Sequence, residues 1–155
     1  MEKSYYKSPI GNLEIICENN DLVSLKKVAT VKNNDADTDF TRTIKLKLDE
    51  YFSGKRQVFD IKISPAGTEF QKLVWQELQT IPYGITKSYS EIAYSIGKPN
   101  AQRAVGSACN KNPIMIIIPC HRVISKNGNI GGFAYGNSVK QKLLEIENLT
   151  NSDFA

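Results

Sequence analysis

The hydrophobic period of this chain changes once, in the tetrapeptide SPAG at Ser64–Gly67, and that change constrains the fold more than any other feature. Upstream, apolar residues come in short alternating runs around a single helical stretch. Downstream, they recur at helical spacing. The chain therefore reads as an α/β N-terminal domain over residues 1–65 and a mainly helical C-terminal domain over residues 66–155. Its 155 residues, 41% of them hydrophobic, suffice for two small cores.

In the first half, GNLEIICENNDLVSLKKV carries two strand-like runs around the turn formers ENND, which predicts a hairpin. The next segment, TDFTRTIKLKLDEYFSGK, aligns Phe40, Ile44, Leu48, Tyr51 and Phe52 on one helical face, with Gly54 ending the helix. VFDIKI then alternates Val58, Asp60 and Lys62 against Phe59, Ile61 and Ile63, which predicts a strand.

In the second half, Thr68 and Gln71 have capping-box spacing ahead of a stripe formed by Phe70, Leu73, Val74, Leu78 and Ile81. Trp75 belongs to the same amphipathic helix as a core residue. Ser88 and Glu91 form a second capping box for a helix closing at Gly97, and Asn100 is placed to cap a third helix, AQRAVGSACN. Two short helices joined by GKPN make a candidate helix-turn-helix. The second of them is rich in small residues, Ala101, Ala104, Gly106, Ser107 and Ala108, with Arg103 the one long side chain near its start. Small residues suit either tight helix packing or close approach to a groove, with Arg103 reaching a base stack or a phosphate.

The most reactive pair follows the apolar run Met115–Ile118, which reads as a buried strand or the floor of a pocket and leads through Pro119 to Cys120 and His121. A thiol attacks only as its thiolate, so a base must take its proton, and His121 is the one imidazole in the chain. Neighbours on an extended strand point to opposite faces, so the two need a kink or an intervening water. An acid to orient the imidazole is available in the terminal helix VKQKLLEIE, as Glu145 or Glu147; spacing leaves that choice open. The alternative for Cys120 is a buried small hydrophobe, and Cys17 and Cys109 are read that way.

Composition narrows the setting. No apolar run approaches the roughly 20 residues a membrane helix needs, and the N-terminus lacks an apolar signal core, so a cytoplasmic protein is expected. Three widely spaced cysteines fit reduced thiols, and one histidine without a CxxC pair argues against zinc. The net charge of +4 is uneven. Between Gly84 and Leu144, Lys87, Lys98, Arg103, Lys111, Arg122, Lys126, Lys140 and Lys142 face a single acid, Glu91. Such a segment is either a solvated lysine-rich surface or a face for a polyanion such as DNA.

IPCHRVI, preceded by RAVGSACNKNP and followed by GGFAYG and KQKLLEIE, resembles the active-site signature of the O6-alkylguanine-DNA alkyltransferases. GTEFQKLVWQELQTIPYGITKSYSEIA, SPIGNL and EYFSGKR are similar to further segments of that family, so the resemblance covers nearly the whole chain. It implies a ribonuclease H-like N-terminal α/β domain and a helical C-terminal domain with a winged helix-turn-helix. It also implies direct repair of double-stranded DNA: a monomer that binds the minor groove, flips out O6-alkylguanine or O4-alkylthymine and takes the alkyl group irreversibly, with no cofactor and no metal.

By the same resemblance Cys120 is the alkyl acceptor, His121 activates it through a water, and Glu147 rather than Glu145 holds the imidazole. Asn112 supports the active-site turn. Tyr89 helps rotate the target phosphate and donates to guanine N3, and Arg103 fills the vacated stack beside Ala104, Ser107 and Ala108 on the DNA-facing helix. The Val123 carbonyl accepts from the guanine amino group and the Ala134 N–H meets O6, with Phe133, Tyr135 and Cys109 completing the pocket. Tyr135 is placed to narrow that pocket against bulky adducts such as benzyl groups. Two rival readings remain: a cysteine hydrolase built on Cys120 and His121, and a non-enzymatic sensor of alkylated bases, whose known kind lacks the cysteine.

Overall fold

A computed structural model describes residues 1–32 and 37–147, which form parts of two compact units, Met1–Ala66 and Gly67–Ala155. The first unit begins with three antiparallel strands in sequential order: β1 (Glu2–Ser8), β2 (Gly11–Glu18) and β3 (Asp21–Lys27). Asn19 and Asn20 both have positive φ, 52° and 61°, as a two-residue turn matched to strand twist requires. The expected hairpin is therefore β2–β3. β1 is an additional strand, paired with β2 from Glu2↔Cys17 to Ser8↔Gly11.

Alternation buries Leu13, Ile15 and Cys17 on one face of β2, where Leu22 and Leu25 of β3 join them. Helix α1 (Asp39–Phe52) starts at Thr38, whose hydroxyl accepts from the Thr41 N–H, and packs against β1. Ile44, Leu48 and Tyr51 are its buried stripe, and Gly54 follows with φ 78°.

Residues 58–63 do not form the expected strand. Their burial alternates as the pattern demands, with Phe59 buried and Val58 exposed, but pairing is limited to a single parallel bridge between Leu22 and Ile63. Asp60 adopts φ 50°, which breaks the extended backbone before a ladder can grow.

The second unit is built on α2 (Glu69–Leu78), α3 (Tyr89–Ser95), α4 (Gln102–Asn110) and α5 (Asn137–Ile146). α4 packs against both α2 and α3. Capping boxes at Thr68/Gln71 and Ser88/Glu91 start α2 and α3. Asn100 does not cap α4: Ala101 occupies the N-cap without a side-chain bond, because a turn from Lys98 O to Ala101 N (2.9 Å) carries the chain past Asn100.

The buried face of α2 is rotated from the expected stripe. Leu73 is exposed, and Trp75 lies inside with Val74 and Leu78. Burying an indole of roughly 200 Å² contributes about 5 kcal/mol before entropy is counted. Its Nε1–H is not lost, because it donates to Ala108 O at 2.9 Å. Gly67 is required beside it, since a Cβ there would lie 2.5 Å from the ring.

One short parallel pair completes the frame: β4 (Lys87–Ser88) against β5 (Val123–Ile124). It carries the start of α3 and the chain after Cys120 to the same place.

Candidate active site

The apolar run ahead of Cys120 is a buried turn, not a strand. Ile117 N donates to Met115 O at 2.9 Å and Ile118 N to Ile114 O at 3.1 Å, and Ile116 between them has φ 74°. A β-branched residue in that region costs about 1–3 kcal/mol and persists only where its surroundings hold it. Asn112 does so. Its Oδ1 accepts from Ile114 N at 2.9 Å, and its Nδ2 donates to Ile118 O at 2.8 Å and to Cys120 Sγ at 3.2 Å. One buried amide thus straps the turn and fixes the thiol.

Cys120–Arg122 form a single 3-10 turn, which sends three consecutive side chains in three directions. Cys120 meets Asn112. His121 Nε2 lies 2.7 Å from Glu147 Oε2. Arg122 grips the same carboxylate through Nε (2.8 Å to Oε1) and Nη2 (3.1 Å to Oε2), donates through Nη1 to Ile81 O at 2.7 Å, and lies over the Tyr83 ring. Glu147 Oε1 also accepts from Gly84 N at 3.3 Å. Glu145, the other acid left open by spacing, is exposed and bonded to Gln141.

The charges follow from this geometry. Burial pushes the Cys120 thiol up, against the Asn112 bond and the Lys140 charge, so the resting group is a thiol that needs a base. Burial pushes His121 down more strongly than Glu147 pulls it up, with Arg122 and Lys140 adding to the downward push, and the imidazole is neutral. Burial would raise Glu147, but hydrogen bonds from His121 and Arg122 and the Arg122 charge hold its carboxyl well below the usual range. A carboxylate only accepts, so His121 carries its proton on Nε2 and donates it in a hydrogen bond to Glu147, which leaves Nδ1 as the ring's acceptor. Nδ1 is buried with no partner among the described residues. The arrangement supplies an oriented base beside a protonated nucleophile.

A second cluster borders the thiol. Lys140 of α5 is fully buried, with Nζ 2.6 Å from Val123 O and 3.1 Å from Gly132 O, and it lies over the Tyr89 ring. Burial brings its ammonium down to about 8. The Tyr89 hydroxyl donates to Gly132 O at 3.4 Å, and burial, then Cys109 and Cys120, push it up to about 12. Gly131, at φ 75°, passes close enough that a Cβ would lie 3.2 Å from the Tyr89 oxygen. The glycine-rich segment is therefore closed onto Tyr89. Phe133 and Tyr135 meet edge to face with ring centroids 5.7 Å apart, Ala134 between them is exposed, and Cys109 is buried at the end of α4.

On α4, Arg103, Ala104 and Ser107 are exposed. Ala108 is not: it is 2% exposed and faces the core with Val105, which corrects its expected place on the outer surface. Tyr89, Arg103, Gly106, Asn110, Ser125 and Gly132 line an open cleft of about 370 Å³. A larger groove, about 620 Å³, is lined by Ile81, Glu91 and Tyr94 among others, and neither opening is lined by Cys120 or His121. Among the described residues no cluster of three potential metal ligands occurs, and no helix is long and apolar enough to cross a membrane.

Comparison with known proteins agrees with this geometry. Residues 1–65 match the ribonuclease-like domain, and residues 69–149 the DNA-binding domain, of 6-O-methylguanine DNA methyltransferases. The chain belongs to that family. It is 43% identical over 153 residues to a methylated-DNA–protein-cysteine methyltransferase of Methanosarcina acetivorans, spanning 95% of this chain and 98% of the relative. Identity reaches 56% over 108 residues with the protein of the same name from Methanosarcina barkeri, covering 70% of this chain and 68% of that one. The structure superposes on Mycobacterium tuberculosis OGT in complex with DNA with a TM-score of 0.86, at 38% identity and 99% coverage of both chains.

Within this family member, two residues escaped the sequence reading. Arg122 and Lys140 counted only as members of a basic segment, yet both are buried and neither belongs to a solvated or polyanion-facing surface. Arg122 could have been flagged by its place next to His121. Lys140 lies on the same helical face as the core residues Leu143 and Leu144, three and four positions on.

Proposed function

We propose that this protein repairs double-stranded DNA by moving the alkyl group from O6 of guanine to Sγ of its own Cys120, once per molecule. The observation that carries this reading is the Cys120–Asn112 contact beside the buried His121–Glu147–Arg122 chain, with Nδ1 as the free acceptor. A water relays the Cys120 proton to His121 Nδ1. The thiolate then attacks the alkyl carbon in line, the S–C bond forms as the C–O6 bond breaks, and the electron pair passes into the guanine ring. Tyr89 donates to N3 and the Ala134 N–H to O6 as that charge develops. Val123 O accepts from the guanine amino group while also accepting from the Lys140 ammonium. The product is a thioether with no carbonyl for water to attack, so nothing regenerates the thiol.

Residues 1–65 and 66–155 are assigned to the ribonuclease-like and DNA-binding domains. In the second, α3 and α4 act as a winged helix-turn-helix in the minor groove, with Arg103 filling the stack left by the flipped nucleotide and Ala104 and Ser107 allowing close approach. The protein acts as a cytoplasmic monomer without cofactor or metal, a reading supported by its free cysteines and its single histidine.

Loss of O6-methylguanine from a duplex, followed against protein added, tests the reading. Repair that stops at one lesion per protein supports it. Continued turnover would favour a hydrolase, and tight lesion binding without loss would favour a sensor. Arg103→Ala should weaken lesion capture while leaving Cys120 intact.

A further inference from the structure

Arg122 touches neither the thiol nor the base pocket, yet it donates two hydrogen bonds to Glu147, the acid that orients His121, and a third to Ile81 O. Arg122 is 7% exposed, and it ties Glu147 at the end of α5 to Ile81 O in the turn after α2. A carboxylate and an imidazole buried together without it would hold one uncompensated negative charge. The cheapest remedy is to take up a proton, and the imidazole is where it would settle. His121 would then rest as an imidazolium and have no acceptor for the Cys120 proton.

We propose that Arg122 is a positioning residue that keeps His121 neutral, and so competent as a base, by neutralising Glu147 while leaving it ionised. The proposal deepens the alkyl-transfer reading and rests on it. With Arg122 in place, a proton on His121 would put two adjacent cations on one carboxylate, with a third, Lys140, nearby. Among the described residues, the groups facing His121 are Glu147 and Lys140 from α5 and its C-terminal end, Cys120 and Arg122 from its own turn, and Tyr83 beyond Arg122 from the segment after α2. Of these, Arg122 alone both contacts the carboxylate and carries a fixed charge.

The chain has one histidine, so its imidazole resonances are unambiguous. NMR titration of His121 in the free, full-length protein, in wild type and in Arg122→Gln, Arg122→Met and Arg122→Lys, reads its protonation directly. In wild type the imidazole should stay neutral below the pH at which an ordinary histidine titrates. Both uncharged variants should titrate about tenfold or more higher in proton affinity, and Lys should restore the wild-type midpoint in large part. The pH at which alkyl transfer from O6-methylguanine duplex reaches half its plateau should move alkaline by the same amount.

An unchanged midpoint in a folded uncharged variant, or a rate lowered equally at every pH, would overturn the proposal. If the uncharged variants do not fold, wild type still decides: a His121 that titrates above the ordinary histidine value overturns it. The midpoints require no DNA, so an absence of transfer in wild type would defeat the functional reading without touching this one.

Discussion

The two units handle charge in opposite ways. In the first, ion pairs such as Arg42–Asp39, Lys45–Asp37 and Arg56–Glu50 lie at or near the surface, where water screens them, and the core is apolar. The second buries a histidine, an arginine, a lysine and a glutamate. Taking such groups out of water costs several kcal/mol each, and hydrophobic replacements would stabilise a fold equally well. The second unit keeps them on the turn that carries the buried thiol and on the helix packed against it, so the contrast separates residues kept for stability from residues kept for chemistry.

Removing the nucleophile is the strongest way to break that contrast. Cys120→Ala should abolish alkyl transfer completely while preserving lesion binding, read by DNA repair and by gel shift on the same preparation. Residual transfer would mean another acceptor. Next comes Glu147→Gln, which leaves Arg122 as a buried charge without its partner. It should lower stability in urea by about 3–5 kcal/mol, and should slow transfer by roughly 10²-fold through loss of the oriented base. Asn112→Ala removes the strap on the Ile116 turn, so a loss of about 1–3 kcal/mol is expected with slower transfer at unchanged DNA affinity.

Acid gives a related effect without mutation. The folded state holds His121 below its ordinary value, so the unfolded chain binds a proton first as pH falls through about 6.5. Stability should therefore decline from there by up to about 1.4 kcal/mol per pH unit. Glu147, held low when folded, adds its own loss below the ordinary carboxylate range. A flat stability between pH 7 and pH 5 would contradict a neutral His121. The smallest effect belongs to the first unit: Arg56→Ala should change stability by no more than about 1 kcal/mol. A loss as large as that from Glu147→Gln would erase the distinction between the units.

What was legible in the sequence depended on whether the signal was local. Thr68/Gln71 and Ser88/Glu91 announce α2 and α3 because a capping box is written in four residues. The α1 box was missed because Thr41 fills the position where Glu or Gln is the usual cue. Residues 58–63 show the limit of periodicity: alternation foretold which side chains are buried, while the backbone, turned at Asp60, bridges β3 only at its end. The apolar run 115–118 likewise announced burial and not conformation, since a turn strapped by Asn112 and a strand bury the same side chains. Cys120 and His121 were visible as reactive types. The acid was narrowed by the residues only to Glu145 or Glu147, 26 residues from His121 in the case of Glu147, and singled out by the family resemblance alone; a charge count does not separate buried Arg122 and Lys140 from exposed Lys126.

The central claim is that one thiol, Cys120, takes the alkyl group and keeps it. The most direct measurement is the intact mass of the protein after incubation with excess duplex containing O6-methylguanine, with peptide mapping of the product. One added methyl group on the Cys120 peptide, with mass and lesion loss saturating together, is the predicted result. Lesion loss that continues while the protein mass stays unchanged, or a methyl group on Cys17 or Cys109 instead, would contradict it.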